Sequence, residues 1–236
     1  DLFIDNHNGE EIANFLNKVV AEKLMFIQII VEDELSAYSV FETLNSRGVG
    51  LTVTDLLKNY LFSVSTKVDL PHVKKKWKGI VDIIGLDNYP TFLRHYWISE
   101  NSLIRQEQLF RAVKESVDNS QKVISVLDSL EDNALLYQAL SNYADSFWEG
   151  HREIKRRIKE LTLFKEKQAY PLLIAAYNNL NQEGFANVLK LISVITFRYT
   201  IIAKRPVYLK EITYNKAAIQ VSNGTATTIQ QIARLL

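Results

Sequence analysis

The chain has 236 residues, enough to bury a substantial core as one domain or two. Lys and Arg total 28 against 27 Asp and Glu, so no whole-chain field draws it to nucleic acid, and DNA contact has to come from a local patch. The absence of cysteine excludes a disulfide framework, a thiolate metal site and a Cys nucleophile, and fits a cytoplasmic location. The polar, acidic opening is not a signal peptide. The longest apolar stretch, Val188 to Ala203, is too short and too interrupted by Lys190 and Arg198 to span a membrane.

In chain order, Asn8 is placed to cap a helix with Glu11 at its third position, and Ile12, Phe15, Leu16, Val19 and Val20 follow at helical spacing. Phe26 to Val31 is short, β-branched and bounded by charge, which predicts a strand. Ala37, Val40, Phe41 and Leu44 line one helical face. Thr52 and Asp55 form a capping box for a helix carrying Leu56, Leu57, Tyr60 and Leu61. Val73, Trp77, Ile80, Val81 and Ile84 share a stripe that Gly85 ends. Pro90 opens the next helix, with Phe92, Leu93, Tyr96 and Trp97 inward and Arg94 and His95 toward water.

Leu109, Phe110, Val113 and Val117 mark a further helix. Two helices are expected between Gln121 and Trp148, broken near Glu131-Asp132-Asn133. Ile154, Ile158 and Leu161 give a basic helix, and Leu172, Leu173 and Ala176 a more buried one. Val188 to Ala203 is apolar on nearly all sides, as a central helix would be. The fold class is therefore mainly α: a small α/β remnant over residues 1–66, then a helical domain over 67–236. A lone strand needs partners, and its neighbours are expected upstream.

The Asn45-Ser46-Arg47-Gly48 turn gathers an amide, a hydroxyl, a guanidinium and a glycine beside helix ends, whose backbone groups are unpaired. Such a turn can receive a phosphate or a carboxylate. It can equally be a helix–turn–helix corner, with Gly48 as a left-handed cap and Arg47 in solvent.

The surrounding string, Phe41-Glu42-Thr43-Leu44-Asn45-Ser46-Arg47-Gly48, then Leu51, then Leu57-Lys58-Asn59-Tyr60-Leu61, resembles the second motif of the N-terminal domain of GmrSD-type restriction systems. Weaker echoes run through Trp77, Phe92 to Trp97, Tyr170 to Leu173 and the apolar helix around Arg198. The family's Asp-Gly-Gln-Gln-Arg signature does not occur in the sequence. The resemblance implies a fragment of a prokaryotic phage-defence protein, with a divergent member of the family as the alternative. The parent's ParB-like domain would bind a nucleoside triphosphate with Mg²⁺ and act on DNA, and the parent often carries an HNH-type nuclease domain. It implies nucleotide or phosphate binding by Asn45, Ser46, Arg47, Gly48 and Lys58. The chain alone is expected to hold no cofactor or catalytic residue and to be inactive. A non-catalytic helical scaffold for protein–protein contacts is the alternative.

Of the remaining candidates, Arg152, Lys155, Arg156, Arg157 and Lys159 form the better basic cluster for DNA phosphates, ahead of Lys74-Lys75-Lys76-Trp77-Lys78. Both also read as solvated helix faces. Glu32-Asp33-Glu34 could hold Mg²⁺, but acidic residues also favour a helix N-terminus. His7, His72, His95 and His151 show no metal-ligand spacing. Arg198, in an apolar helix, calls for a partner: an internal carboxylate, a route to the surface, or the groove beside Asn45–Gly48.

Overall fold

The computed structural model describes residues 8–21, 52–203 and 208–236, and every regular element among them is helical. The strand expected at Phe26 to Val31, the acidic Glu32-Asp33-Glu34 run and the Asn45–Gly48 turn lie outside the described residues. The chain forms two compact units, Asp1–Gly50 and Leu51–Leu236. In the first, α1 (Gly9–Phe15) starts at the expected capping box: the Asn8 side chain accepts from the Glu11 N–H at 2.9 Å, and the Glu11 carboxylate accepts from the Asn8 N–H at 3.0 Å. It continues into a π-helical turn, Leu16–Ala21.

The second unit opens with α2 (Val53–Val64), again capped as expected, with Thr52 and Asp55 exchanging hydrogen bonds. Its apolar stripe buries Leu57 and Leu61 in the core of this unit. The sequence boundary near residue 66 therefore separates α2 from the core it packs in. Then come α3 (Leu70–Ile84), α4 (Tyr89–Glu100), α5 (Leu109–Ser116) and α6 (Ser120–Leu140). Gly85 ends α3 with φ +79°, a conformation that L side chains rarely adopt. α3 lies along α6, and the Lys76 ammonium bridges them to Asp128 (2.8 Å) and to Glu131.

No break occurs in α6. Asp and Asn are weak helix formers rather than breakers. Here the Asn133 amide donates to the Ser129 carbonyl at 2.8 Å, Glu131 is held by Lys76, and Leu130, Ala134 and Tyr137 continue the buried stripe. A 3₁₀ turn, Ser146–Trp148, leads to α7 (Arg152–Leu163), α8 (Tyr170–Asn179), α9 (Gln182–Thr196), α10 (Tyr208–Ser222) and α11 (Ile229–Leu235).

The central helix is α8, not the Val188–Ala203 stretch. All residues from Tyr170 to Ala176 are buried, and α8 packs on α4, α6, α9 and α10. Ala175 and Ala176 let neighbouring backbones approach closely. By contrast, α9 buries a single face (Phe185, Val188, Leu189, Ile192) and passes into a π-helical turn, Phe197–Ile202, where Phe197 and Ile202 are exposed. Arg198 is on the surface as well, so it makes no demand for a buried partner.

The reading of α4 also changes. His95 is buried, and Arg94 is half-buried, donating to the Ile104 carbonyl and pairing with Glu211, both at 2.7 Å. Helices α6, α8 and α10 all pack on α4, so the stripe that periodicity assigns to solvent is covered too.

Candidate functional site

The basic helix α7 is amphipathic. Ile154, Ile158 and Leu161 are buried against α9 and the Ser146–Trp148 turn, which leaves the charged side chains on the outer face. Glu153, in the first turn, complements the helix dipole. Arg152, Arg156 and Lys159 are exposed and Lys155 is half-buried.

Their states differ. Arg157 is only 13% exposed and lies between Glu153 (2.8 Å) and Glu160 (3.0 Å). Burial works against its charge, yet the hydrogen bonds to Glu160 and Glu153 hold its pKa above the ordinary arginine value. Arg156 reaches Glu160 at 3.5 Å from an exposed position, a contact worth at most about 1 kcal/mol. The Lys159 ammonium lies 5.3 Å from the ring centre of Tyr143. Arg152 and Lys155 make no ion pair among the described residues. Four of the five cations are thus open to an external anion, whereas Arg157 is engaged within the helix.

Beside the first turn of α7 lies a cleft that the sequence did not announce. Trp148 and Phe185 form its floor, stacked at 6.0 Å and 15°, and Phe147 and Tyr177 form its walls with ring centres 5.7 Å apart. Its volume is about 300 Å³, and it adjoins a polar chamber of about 540 Å³ that includes Arg152, Glu153, Asn181 and Glu183. His151 and Gln182 are hydrogen-bonded to each other and line both. The adjacent aromatics Phe147-Trp148 were the only sequence signal. Their partners Tyr177 and Phe185 join them only in the fold.

Two buried polar groupings also escaped periodicity. The Lys210 ammonium and the Thr196 hydroxyl (2.9 Å) both meet the Glu166 Oε2 carboxylate oxygen, while Glu166 Oε1 has no hydrogen-bond partner among the described residues. In the second, His95 Nδ1 lies 2.8 Å from the Tyr137 hydroxyl, and both rings stand beside Tyr170.

Of the nucleotide-site residues, Lys58 is on the exposed face of α2, and Asn45, Ser46, Arg47 and Gly48 lie outside the described residues. The second basic run is partly internal, because Lys76 serves the α3–α6 bridge and Lys74 sits over Phe62 at 5.8 Å. Among the described residues no cluster of His, Asp and Glu is arranged to hold a metal ion, and no helix is long and apolar enough to cross a membrane.

Residues 3–62 match the family model of the GmrSD restriction endonuclease, N-terminal domain. This segment is a GmrSD-like domain. The match ends at Phe62, inside α2, so the helix that closes the GmrSD-like segment also belongs to the core of the helical unit. It also supports a place for the chain among restriction-system proteins. No curated protein matches the chain.

Proposed function

We propose that the helical unit is a DNA-contacting part of a restriction-system protein, with α7 gripping phosphates through Arg152, Lys155, Arg156 and Lys159. One observation carries this reading: α7 buries an apolar stripe and leaves four cations on its outer face, none of them committed to a buried acid. Affinity for DNA comes mostly from such Lys and Arg contacts, and it falls with salt as counterions are released. In the same protein the nucleotide site is formed by Asn45, Ser46, Arg47, Gly48 and Lys58. The family match supports this second part, because it spans all five residues.

The test reverses charge on the outer face alone. Arg156→Glu with Lys159→Glu leaves the buried stripe and Arg157 in place. Duplex binding should weaken alike across sequences, and each lost phosphate contact should reduce the salt slope by about 1. Unchanged affinity and slope would remove α7 from the interface and favour a protein-binding scaffold. That alternative rests on the exposed Phe197, Ile202, Tyr208 and Leu209.

A further inference from the structure

We propose that the aromatic cleft at the start of α7 accepts an unstacked nucleobase from the DNA strand whose phosphates α7 holds. This rests on the DNA-binding reading of α7 given above. The cleft has the character of a ring site. Trp148 and Phe185 are almost fully buried and back the cleft, and the indole N–H is already satisfied by the Ala139 carbonyl at 2.8 Å, so an entering ring meets the faces of Phe147 and Tyr177 with no unmet polar demand behind them. Tyr177 is 41% exposed although it packs edge-on against Phe185 at 5.3 Å and 84°. It is therefore positioned by the core while a large part of its ring faces outward. A volume of about 300 Å³ is at the small end for ligand pockets, which run from roughly 300 to 1,000 Å³, and suits one ring system rather than a whole nucleotide.

Charge says which part of the ligand enters. Glu153 and Glu183 set two carboxylates against one cation, Arg152, in the adjoining chamber, so a phosphate is held better by the run of cations outside than within that space. The cations open to phosphate lie instead along the outer face of α7, beginning at Arg152. His151 and Ile154 line the cleft and also start α7, so the cleft opens beside the first turn of the helix that carries these cations. A base stacked on aromatic side chains beside a cationic track is the general solution for holding an unpaired nucleotide, and it tolerates any base because each has a π face.

The experiment compares a fully paired duplex with the same duplex carrying one unpaired 2-aminopurine, using the whole 236-residue chain. The bulged duplex should bind roughly tenfold tighter, with its fluorescence quenched on binding. Tyr177→Ala should abolish that preference and leave paired-duplex affinity and salt slope unchanged. Phe147→Ala should do the same, with circular dichroism reporting the fold of both variants. Arg156→Glu with Lys159→Glu should weaken both duplexes. Equal binding of the two duplexes, or a preference that survives Tyr177→Ala, would overturn the base site and leave the α7 reading standing. Failure to bind either duplex would remove both. Free nucleoside triphosphate at the same concentration as the duplex should not compete, and competition at that level would reassign the cleft to a mononucleotide and overturn its assignment to a strand.

Discussion

His95 should make the helical unit acid-sensitive as pH falls below about 6.5. Its imidazole is buried, and burial, followed by the positive charges of Arg94 and Lys167, lowers its pKa from 6.5 to about 3. We assign Nδ1 as the acceptor from Tyr137, because that hydroxyl has no other acceptor among the described residues, and this bond also favours the neutral ring. In the unfolded chain the imidazole returns to about 6.5. Between pH 6.5 and 3 the unfolded state then binds a proton that the folded state refuses, so stability is complete above pH 6.5 and falls as pH drops. Each pH unit corresponds to about 1.36 kcal/mol, so the loss reaches about 2 kcal/mol at pH 5. Urea unfolding followed by far-UV circular dichroism at pH 7, 6 and 5 measures it. His95→Gln has nothing to protonate in this range and should lose about 2 kcal/mol less than the parent between pH 7 and 5, even though its stability at pH 7 is lower. The other histidines are common to both proteins and cancel in the comparison. Parallel pH profiles would refute the reasoning.

Three further outcomes follow from packing and backbone geometry. Lys210→Met strands the Glu166 carboxylate in the core and should cost about 3–5 kcal/mol in urea unfolding; adding Glu166→Gln should recover part of that loss, and a single-variant cost below about 1 kcal/mol would show that the pair is not a buried one. Gly85→Ala meets no atom within 4 Å but forces φ +79° on an L residue, so thermal melting should report a loss of about 1–3 kcal/mol. Thr52→Ala removes the cap that accepts the Asp55 N–H and should cost about 1 kcal/mol, visible as faster amide exchange in the first turn of α2.

The features legible from the sequence were those set by neighbours along the chain. The capping boxes at Asn8 and Thr52, the stop at Gly85 and the stripes of α2, α3, α5 and α7 depend on contacts three or four residues apart, and the structure has each of them where spacing placed it. Lys76 shows where that reach ends. In the sequence it is one of several solvated lysines, and only the packing of α3 along α6 brings Asp128 and Glu131 to it.

Whether a helix is central depends on how many neighbours cover it, and periodicity does not record that number. Val188 to Ala203 reads as more apolar all round, yet α8 is surrounded and α9 is not, because α4, α6, α9 and α10 converge on the close-approaching surface of α8. The same encirclement carries His95 inside, against an expectation drawn from one face of one helix. The aromatic cleft and the Glu166–Lys210 pair belong to this class as well. Tyr177 and Phe185 stand well along the chain from Phe147 and Trp148, and the chain folds across that distance before a pocket or an ion pair exists. Local chemistry thus determined the helices and their basic and apolar faces, and only tertiary packing decided which of those faces met solvent.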